Sequence, residues 1–364
     1  MTQTSNSHEC KKILFVLPNF AAGGAERVMI SFLNNMDSKI YEPHLLVLMN
    51  SGTLRNTVQK HVHVHDLGKN HVLLALPAMY QSLRSIRPDI VVSTMTYMNI
   101  LTLVFKPLFK RTRFFVREAI TPSYFMDRGI KQKLQFYLGP KFCYAWADKI
   151  LSPAQVIFDE FHDYGVKRTD KEKVIYNPVD SAMIESHLSE SNPFDESVLN
   201  FVCSGRLHPQ KGFDRLLGCL PDLSLETPWH LTILGEGDQR QELEDLIERH
   251  NLHDHVTLQG HVSNPWLYYK WADCFLLPSL HEGLPNVALE NLLCGTPVIA
   301  TSTSGGIAEI AEVASNGTVQ VVDSMDEFMA CMEKAQKKTS YDQSFLPDRF
   351  KMSDAVRELE VLFL

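Results

Sequence analysis

Apolar residues along this chain gather in short unbroken runs, and between the runs the apolar positions recur every three or four residues. The runs lie within positions 13–17, 44–48, 90–93, 114–119, 149–152, 174–176, 201–205, 231–234, 256–262, 273–277 and 298–301, those at 114–119 and 256–262 being interrupted by polar residues. Unbroken runs of this length suit strands covered on both faces, as in a parallel sheet. The intervening pattern, for instance Val28, Ile30, Phe32 and Leu33, suits helices that pack on those faces. Strands alternating with helices predict a doubly wound α/β architecture. The chain closes on an amphipathic helix over 353–364, with Val356, Leu359, Val361 and Leu362 on its apolar side.

A chain of 364 residues is too long for one average domain and suits two. Positions 176–180 read as a turn, after which 181–197 turn polar, with Ser, Asn, Pro and acidic residues. The expected division is therefore a first Rossmann-like domain over 1–180, a linker over 181–197, a second domain over 198–345, and a closing helical segment over 346–364.

A net charge of −8 excludes a generally basic nucleic-acid binder. Between positions 106 and 149, however, ten Lys or Arg face three Asp or Glu, a local +7 that leaves −15 for the rest. Phe105, Leu108, Phe109, Phe114, Tyr124, Phe125, Leu134, Phe136 and Tyr137 interleave with those charges. Such a segment fits the anionic face of a bilayer, or else a solvated helix face over core aromatics. The seven cysteines are scattered without a C-x-x-C pair, and several sit in apolar runs, which favours buried free thiols. The first twelve residues are polar and no run approaches a membrane span, so the expectation is a cytoplasmic protein able to lie on a membrane. His61, His63 and His65 alternate with valines; with no acidic or cysteine cluster beside them, an edge strand with a polar face is the simpler reading, and no metal site is assigned.

The stretch with the densest chemistry is 279–290, Ser-Leu-His-Glu-Gly-Leu-Pro-Asn-Val-Ala-Leu-Glu. It follows a strand and opens a helix at Pro285, a residue that loses nothing in a first turn whose amides lack internal partners. The amides of Asn286, Val287 and Ala288 then form an anion site. Glu282 lies in the loop and Glu290 within the helix, so they address different parts of one extended ligand, one with hydroxyls and a phosphate. A second cluster follows the strand at 201–205, where Arg206 and Lys211 stand five positions apart before a helix that begins near Gly212. Two cations at the carboxyl end of a strand can neutralise a leaving diphosphate. A third feature, Gly23-Gly24-Ala25-Glu26, opens the first helix. It lacks the G-x-G-x-x-G spacing, which weakens a dehydrogenase reading.

Glu282 and Glu290 resemble the E-x7-E signature of retaining glycosyltransferases with the GT-B fold, the family 4 group that includes bacterial lipopolysaccharide, capsule and phosphatidylinositol mannosyl transferases. The resemblance implies two Rossmann-like domains facing a central cleft, with the last helix crossing back to the first domain. It implies that Glu282 contacts the donor sugar, that Glu290 holds the ribose, and that Asn286 and Val287 hold the diphosphate together with Arg206 and Lys211. Gly23 and Gly24 resemble the loop facing donor and acceptor, Gly235 the loop near the nucleotide, and Val262 the residue whose backbone reads the base. At Ala119 many relatives carry a histidine that contacts the donor sugar; here Arg117 and Glu118 are the neighbouring candidates, unless they pair with each other.

The expected function is transfer, with retained configuration, of a hexose or N-acetylhexosamine from a nucleotide sugar, UDP-linked rather than GDP-linked. The expected acceptor is a saccharide on polyprenyl diphosphate, in cell-surface polysaccharide or O-antigen assembly at an anionic membrane surface. No Asp-x-Asp pair stands in a suitable loop, so the cations take the place of a metal and no cofactor is expected. A hydrolysing nucleotide-sugar epimerase and a silent partner of a glycan-assembly complex are the rival readings.

Overall fold

Each apolar run becomes a parallel strand. The computed structural model describes residues 10–21, 23–126, 129–188, 191–315 and 317–364. The first nine residues of the polar N-terminus, Ala22 of the glycine loop, Asp127 and Arg128 of the basic segment, and Ser189 and Glu190 of the expected linker lie outside them.

The chain divides into one unit of residues 1–178 with 352–364, and a second of residues 179–351. In the first, β1 (Lys11–Leu17), β2 (Tyr41–Val47), β3 (His63–Asp66), β4 (Ile90–Thr94), β5 (Arg113–Arg117), β6 (Lys149–Ser152) and β7 (Glu172–Val174) form one sheet in the order β3-β2-β1-β4-β5-β6-β7. All its pairings are parallel. Ile13, Phe15 and Leu17 point to one face and Leu14 and Val16 to the other, each into its own apolar core. That double burial is why the strand reads as a run rather than an alternation.

The histidine segment ends in the edge strand β3. There His44 Nδ1 and His65 Nε2 share a hydrogen bond of 3.0 Å, and His44 Nε2 and Glu42 Oε1 share another of 2.9 Å.

The closing helix, Met352–Val361, buries Ala355, Val356 and Leu359, with Phe363 beyond it, in the same core as Phe15 and Phe32. Lys11 Nζ donates to the Phe363 carbonyl at 3.0 Å and Arg113 Nη1 to that of Leu362 at 3.2 Å, so basic side chains take up the last carbonyls of the chain.

The second unit holds β8 (Leu199–Ser204), β9 (Trp229–Leu234), β10 (Val256–Gly260), β11 (Cys274–Leu277), β12 (Val298–Thr301) and β13 (Val319–Val322) in the order β10-β9-β8-β11-β12-β13, again all parallel. Half-buried and short, β13 had no unbroken run to announce it. Positions 181–197, whose composition suggested a linker, fall inside this unit and open with the helix Ser181–Glu185, capped by Asp180 through the Met183 amide at 3.0 Å. Val179 pairs with Lys351, and its amide donates to the Phe350 carbonyl at 2.9 Å, so the two segments at the unit boundary run side by side. The cysteines are free thiols; burial pushes those of Cys274 and Cys294 up to about 12.

Candidate active site

In the second sheet the strand order reverses beside β8, which has β9 on one side and β11 on the other. Ligands of open parallel sheets bind at such a switch point, beyond the carboxyl ends of the strands. The loops leaving β8 and β11 flank it, and they carry Arg206 and Lys211 on one side and Glu282 on the other. Lys211 Nζ stands 2.6 Å from Glu282 Oε1, and the Ser279 hydroxyl donates to the same oxygen at 2.9 Å.

The two loops are stitched along their length. The Leu280 amide donates to the Gln210 carbonyl at 2.8 Å and Gln210 Nε2 to the His281 carbonyl at 2.7 Å. Arg215 donates from Nε to the Pro278 carbonyl and from Nη2 to the Thr301 hydroxyl, both at 2.9 Å. Gly212 has φ 65°, and a Cβ there would lie 2.1 Å from the Pro278 oxygen, so only glycine lets the loops close. Gly235, at φ 140°, faces the Gly205 carbonyl, where a Cβ would stand 1.9 Å away.

Side chains of Lys211 and Glu282 are 19% and 12% exposed, so water screens their attraction only in part. Arg206 is exposed and has no partner among the described residues, which leaves its guanidinium open to an anion. The helix Asn286–Leu293 begins one residue later than the proline rule suggested: Pro285 is its cap, with ψ 96°. The Ala288 amide already donates to the Pro285 carbonyl at 3.0 Å, so of the three amides expected to bind an anion this one is taken up within the helix.

Glu290 is buried one turn further on, and its Oε2 accepts the Trp266 indole N–H at 2.9 Å. Trp266 belongs to the helix Pro265–Trp271, capped by Asn264, and lies against His187 with ring centroids 5.3 Å apart. The Asn-Pro pair marked that helix start in the sequence, but nothing local linked Trp266 to a carboxylate 24 positions away. Val262 lies half-buried just past the edge strand β10.

In the first unit the switch point falls between β1 and β4. Gly23 caps the helix Gly24–Asn35, and Glu26 in its first turn is buried, a favourable place for a carboxylate. Burial, with the charge of Glu26 second, pushes the Tyr97 hydroxyl up to about 12. At the end of β5, Arg117 and the next residue, Glu118, point to different partners. Arg117 donates from Nη2 to Asn177 Oδ1, next to the unit boundary, while its Nε and Nη1 lack hydrogen-bond partners among the described residues. Glu118 accepts from Thr96 Oγ1 and Asn99 Nδ2, both at 3.0 Å, and from the Tyr144 hydroxyl. Desolvation outweighs these bonds and raises its carboxyl to about 8. Met95, at φ 72°, begins the helix that supplies Thr96 and Asn99.

Comparison with known proteins agrees with this layout. Residues 22–182 match the family model described as glycosyltransferase family 4, and residues 185–349 match that of glycosyl transferases group 1. A Campylobacter jejuni protein named N-acetylgalactosamine-N,N'-diacetylbacillosaminyl-diphospho-undecaprenol 4-alpha-N-acetylgalactosaminyltransferase is 27% identical over 310 residues, covering 82% of this chain and 83% of its own. The fold matches crystal structures of Anabaena HepE in complex with UDP, at TM-score 0.76 and 18% identity over 97% of this chain and 99% of that one. It also matches the lipopolysaccharide outer core galactosyltransferase WaaB, at TM-score 0.73 and 19% identity, with the same shares covered. With both units accounted for, the chain belongs to the family 4 type of GT-B glycosyltransferases.

Proposed function

We propose that this enzyme moves a hexose or N-acetylhexosamine, with retained configuration, from a UDP-sugar to a saccharide carried on polyprenyl diphosphate, in the assembly of a cell-surface polysaccharide or O-antigen. The observation that carries the reading is the Lys211–Glu282 pair at the β8/β11 switch point, with the open guanidinium of Arg206 on the same loop as Lys211. As the sugar leaves, negative charge grows on the nucleoside diphosphate; Arg206, Lys211 and the Asn286 and Val287 amides receive it. Removing one such preorganised donor typically lowers the rate about 10²–10³-fold. Glu282 meets the sugar, where positive charge develops, and Glu290 meets the ribose. A donor phosphate oxygen takes the proton from the attacking hydroxyl on the face the leaving group vacates.

The UDP preference draws support from the nucleotide in the HepE structure, and the lipid-linked acceptor from the name of the Campylobacter relative. The proposed enzyme lies on the anionic inner face of the cytoplasmic membrane, where a polyprenyl-linked acceptor is held; no helix among the described residues is long and apolar enough to cross a membrane. The reading is tested by incubating the protein with a panel of UDP- and GDP-sugars and a polyprenyl-diphosphate-linked saccharide, and following nucleoside diphosphate release with and without acceptor. Release from a UDP-sugar that requires the acceptor is expected. Turnover without acceptor would indicate the hydrolytic epimerase instead.

A further inference from the structure

We propose that the first unit docks on an anionic bilayer through one face of residues 130–146, inserting Ile130, Leu134, Leu138, Phe142 and Trp146 below the headgroups. The inference rests on the proposed lipid-linked acceptor and assigns the surface that brings the enzyme to it. The stretch comprises a helix Ile130–Phe136, a wide i→i+5 turn over Tyr137–Phe142 and a tight turn Cys143–Trp146. Its five apolar side chains at every fourth position are 86%, 55%, 47%, 64% and 55% exposed. Phe136, Pro140 and Tyr144 on the other side are buried, so the core needs nothing further from this segment. At about 3.6 residues per turn, every fourth residue of an α-helix overshoots a full turn. The wide turn undershoots it, and the change between the two keeps the row from Ile130 to Phe142 on one side; the tight turn then carries Trp146 further round, where it is still exposed.

An apolar row left in water beside a complete core marks a partner's surface. The charges identify the partner. Lys131, Lys133 and Lys141 are exposed along the same stretch, and residues 129–147 contain no acidic residue. Asp148, the next one, is taken by Lys106. A second copy set against this face would bring lysine onto lysine, whereas an anionic lipid surface meets both the charge and the apolar row. Tyr137, with Lys141 Nζ 5.3 Å above its ring, and Trp146 are side chains suited to the headgroup level.

The test is vesicle flotation of the full chain with phosphatidylglycerol or phosphatidylcholine, alongside transfer to an acceptor on a short, water-soluble chain. Binding to phosphatidylglycerol that falls as salt rises is expected. Lys131→Gln with Lys133→Gln and Lys141→Gln should weaken it about 100-fold, at about fivefold per lysine. Phe142→Ser with Trp146→Ser should weaken it at least about tenfold. Both variants alter exposed side chains, should keep the wild-type circular dichroism, and should still transfer to the soluble acceptor. Equal binding to both lipids, or binding indifferent to both variants, would overturn the proposal. A concentration-dependent dimer dispersed by Phe142→Ser and Trp146→Ser would make the face a contact between copies and overturn it too. Flotation without transfer to any acceptor would sink the transferase reading and leave the surface standing; transfer without flotation would do the reverse.

Discussion

Lys211 and Glu282 lie 71 positions apart in the chain, yet their charged atoms meet at 2.6 Å because β8 and β11 are neighbours in the sheet. The pair links the two loops that flank the switch point, and each partner keeps the other in place before any ligand arrives. Exposed ion pairs contribute about 0–1 kcal/mol, and breaking a fully buried one costs about 3–5 kcal/mol. With side chains 19% and 12% exposed, this pair falls between those limits.

A double-mutant cycle measures it. Lys211→Met, Glu282→Gln and the combination, followed by urea unfolding of the second unit, should give a coupling of about 1–2 kcal/mol. Additive effects within about 0.3 kcal/mol would show that solvent screens the pair and that the loops are held by Gln210 and Arg215 instead.

If Arg206 and Lys211 supply the positive charge a metal ion would bring to the diphosphate, transfer should proceed undiminished in EDTA. Initial rates before and after chelation, with Mg²⁺ or Mn²⁺ added back, check this. Activity lost in EDTA and restored by either ion would refute it.

The Glu118 carboxyl gives a stability prediction with a definite sign. Its folded value of about 8 lies above the ordinary carboxylate range because burial disfavours the charge. The folded state therefore holds a proton that the unfolded state releases, so this group's contribution is fully present below about pH 4.5 and is lost as pH rises through 8. Glu118→Gln keeps an acceptor for Asn99 and Tyr144 and offers Thr96 an N–H, without the titration. It should match wild type near pH 5 and melt at least about 2 °C higher at pH 8, the shift about 1 kcal/mol produces in a chain this size. A difference independent of pH would show that Glu118 is ionised in the folded protein.

What the sequence discloses and what it hides differ in range. The run at 13–17 announces β1 because both faces of a central strand are apolar, whereas Gly212 and Gly235 read only as a helix start and a loop glycine, and their close approaches to Pro278 and Gly205 depend on partners distant in the chain. Arg206 and Lys211 stand out as charges immediately after an apolar strand. The Trp266–Glu290 bond and the Thr96, Asn99 and Tyr144 bonds to Glu118 join different elements, and no spacing rule brings their partners together. Arg117 and Glu118 were open to a mutual pairing; successive strand residues point to opposite faces, which sends one to Asn177 and the other to Asn99. In the basic segment the sequence left a bilayer face and core aromatics as alternatives, and only the burial of Phe136 and the exposure of Leu134 show which side chains belong to which.

The last prediction separates the two carboxylates and gives Trp266 a part. If Glu290 holds the ribose, Glu290→Gln should weaken UDP and the intact donor alike, by about 1.5–3 kcal/mol, the range for a hydrogen bond to a charged group. Trp266 fixes one oxygen of that carboxylate through its indole N–H, 2.9 Å away. Trp266→Phe keeps most of the packing but removes this bond to the carboxylate, so it should weaken UDP in the same direction by a smaller amount, about 0.5–1.5 kcal/mol, the net worth of one hydrogen bond. Glu282→Gln should leave UDP affinity nearly unchanged and lower transfer, because its contact strengthens as the sugar develops positive charge. Calorimetry with UDP on the three variants, together with their transfer rates, resolves the roles. Should Glu282→Gln lose as much UDP affinity as Glu290→Gln, the division between sugar and ribose is wrong, and Glu282 acts on the diphosphate by holding Lys211.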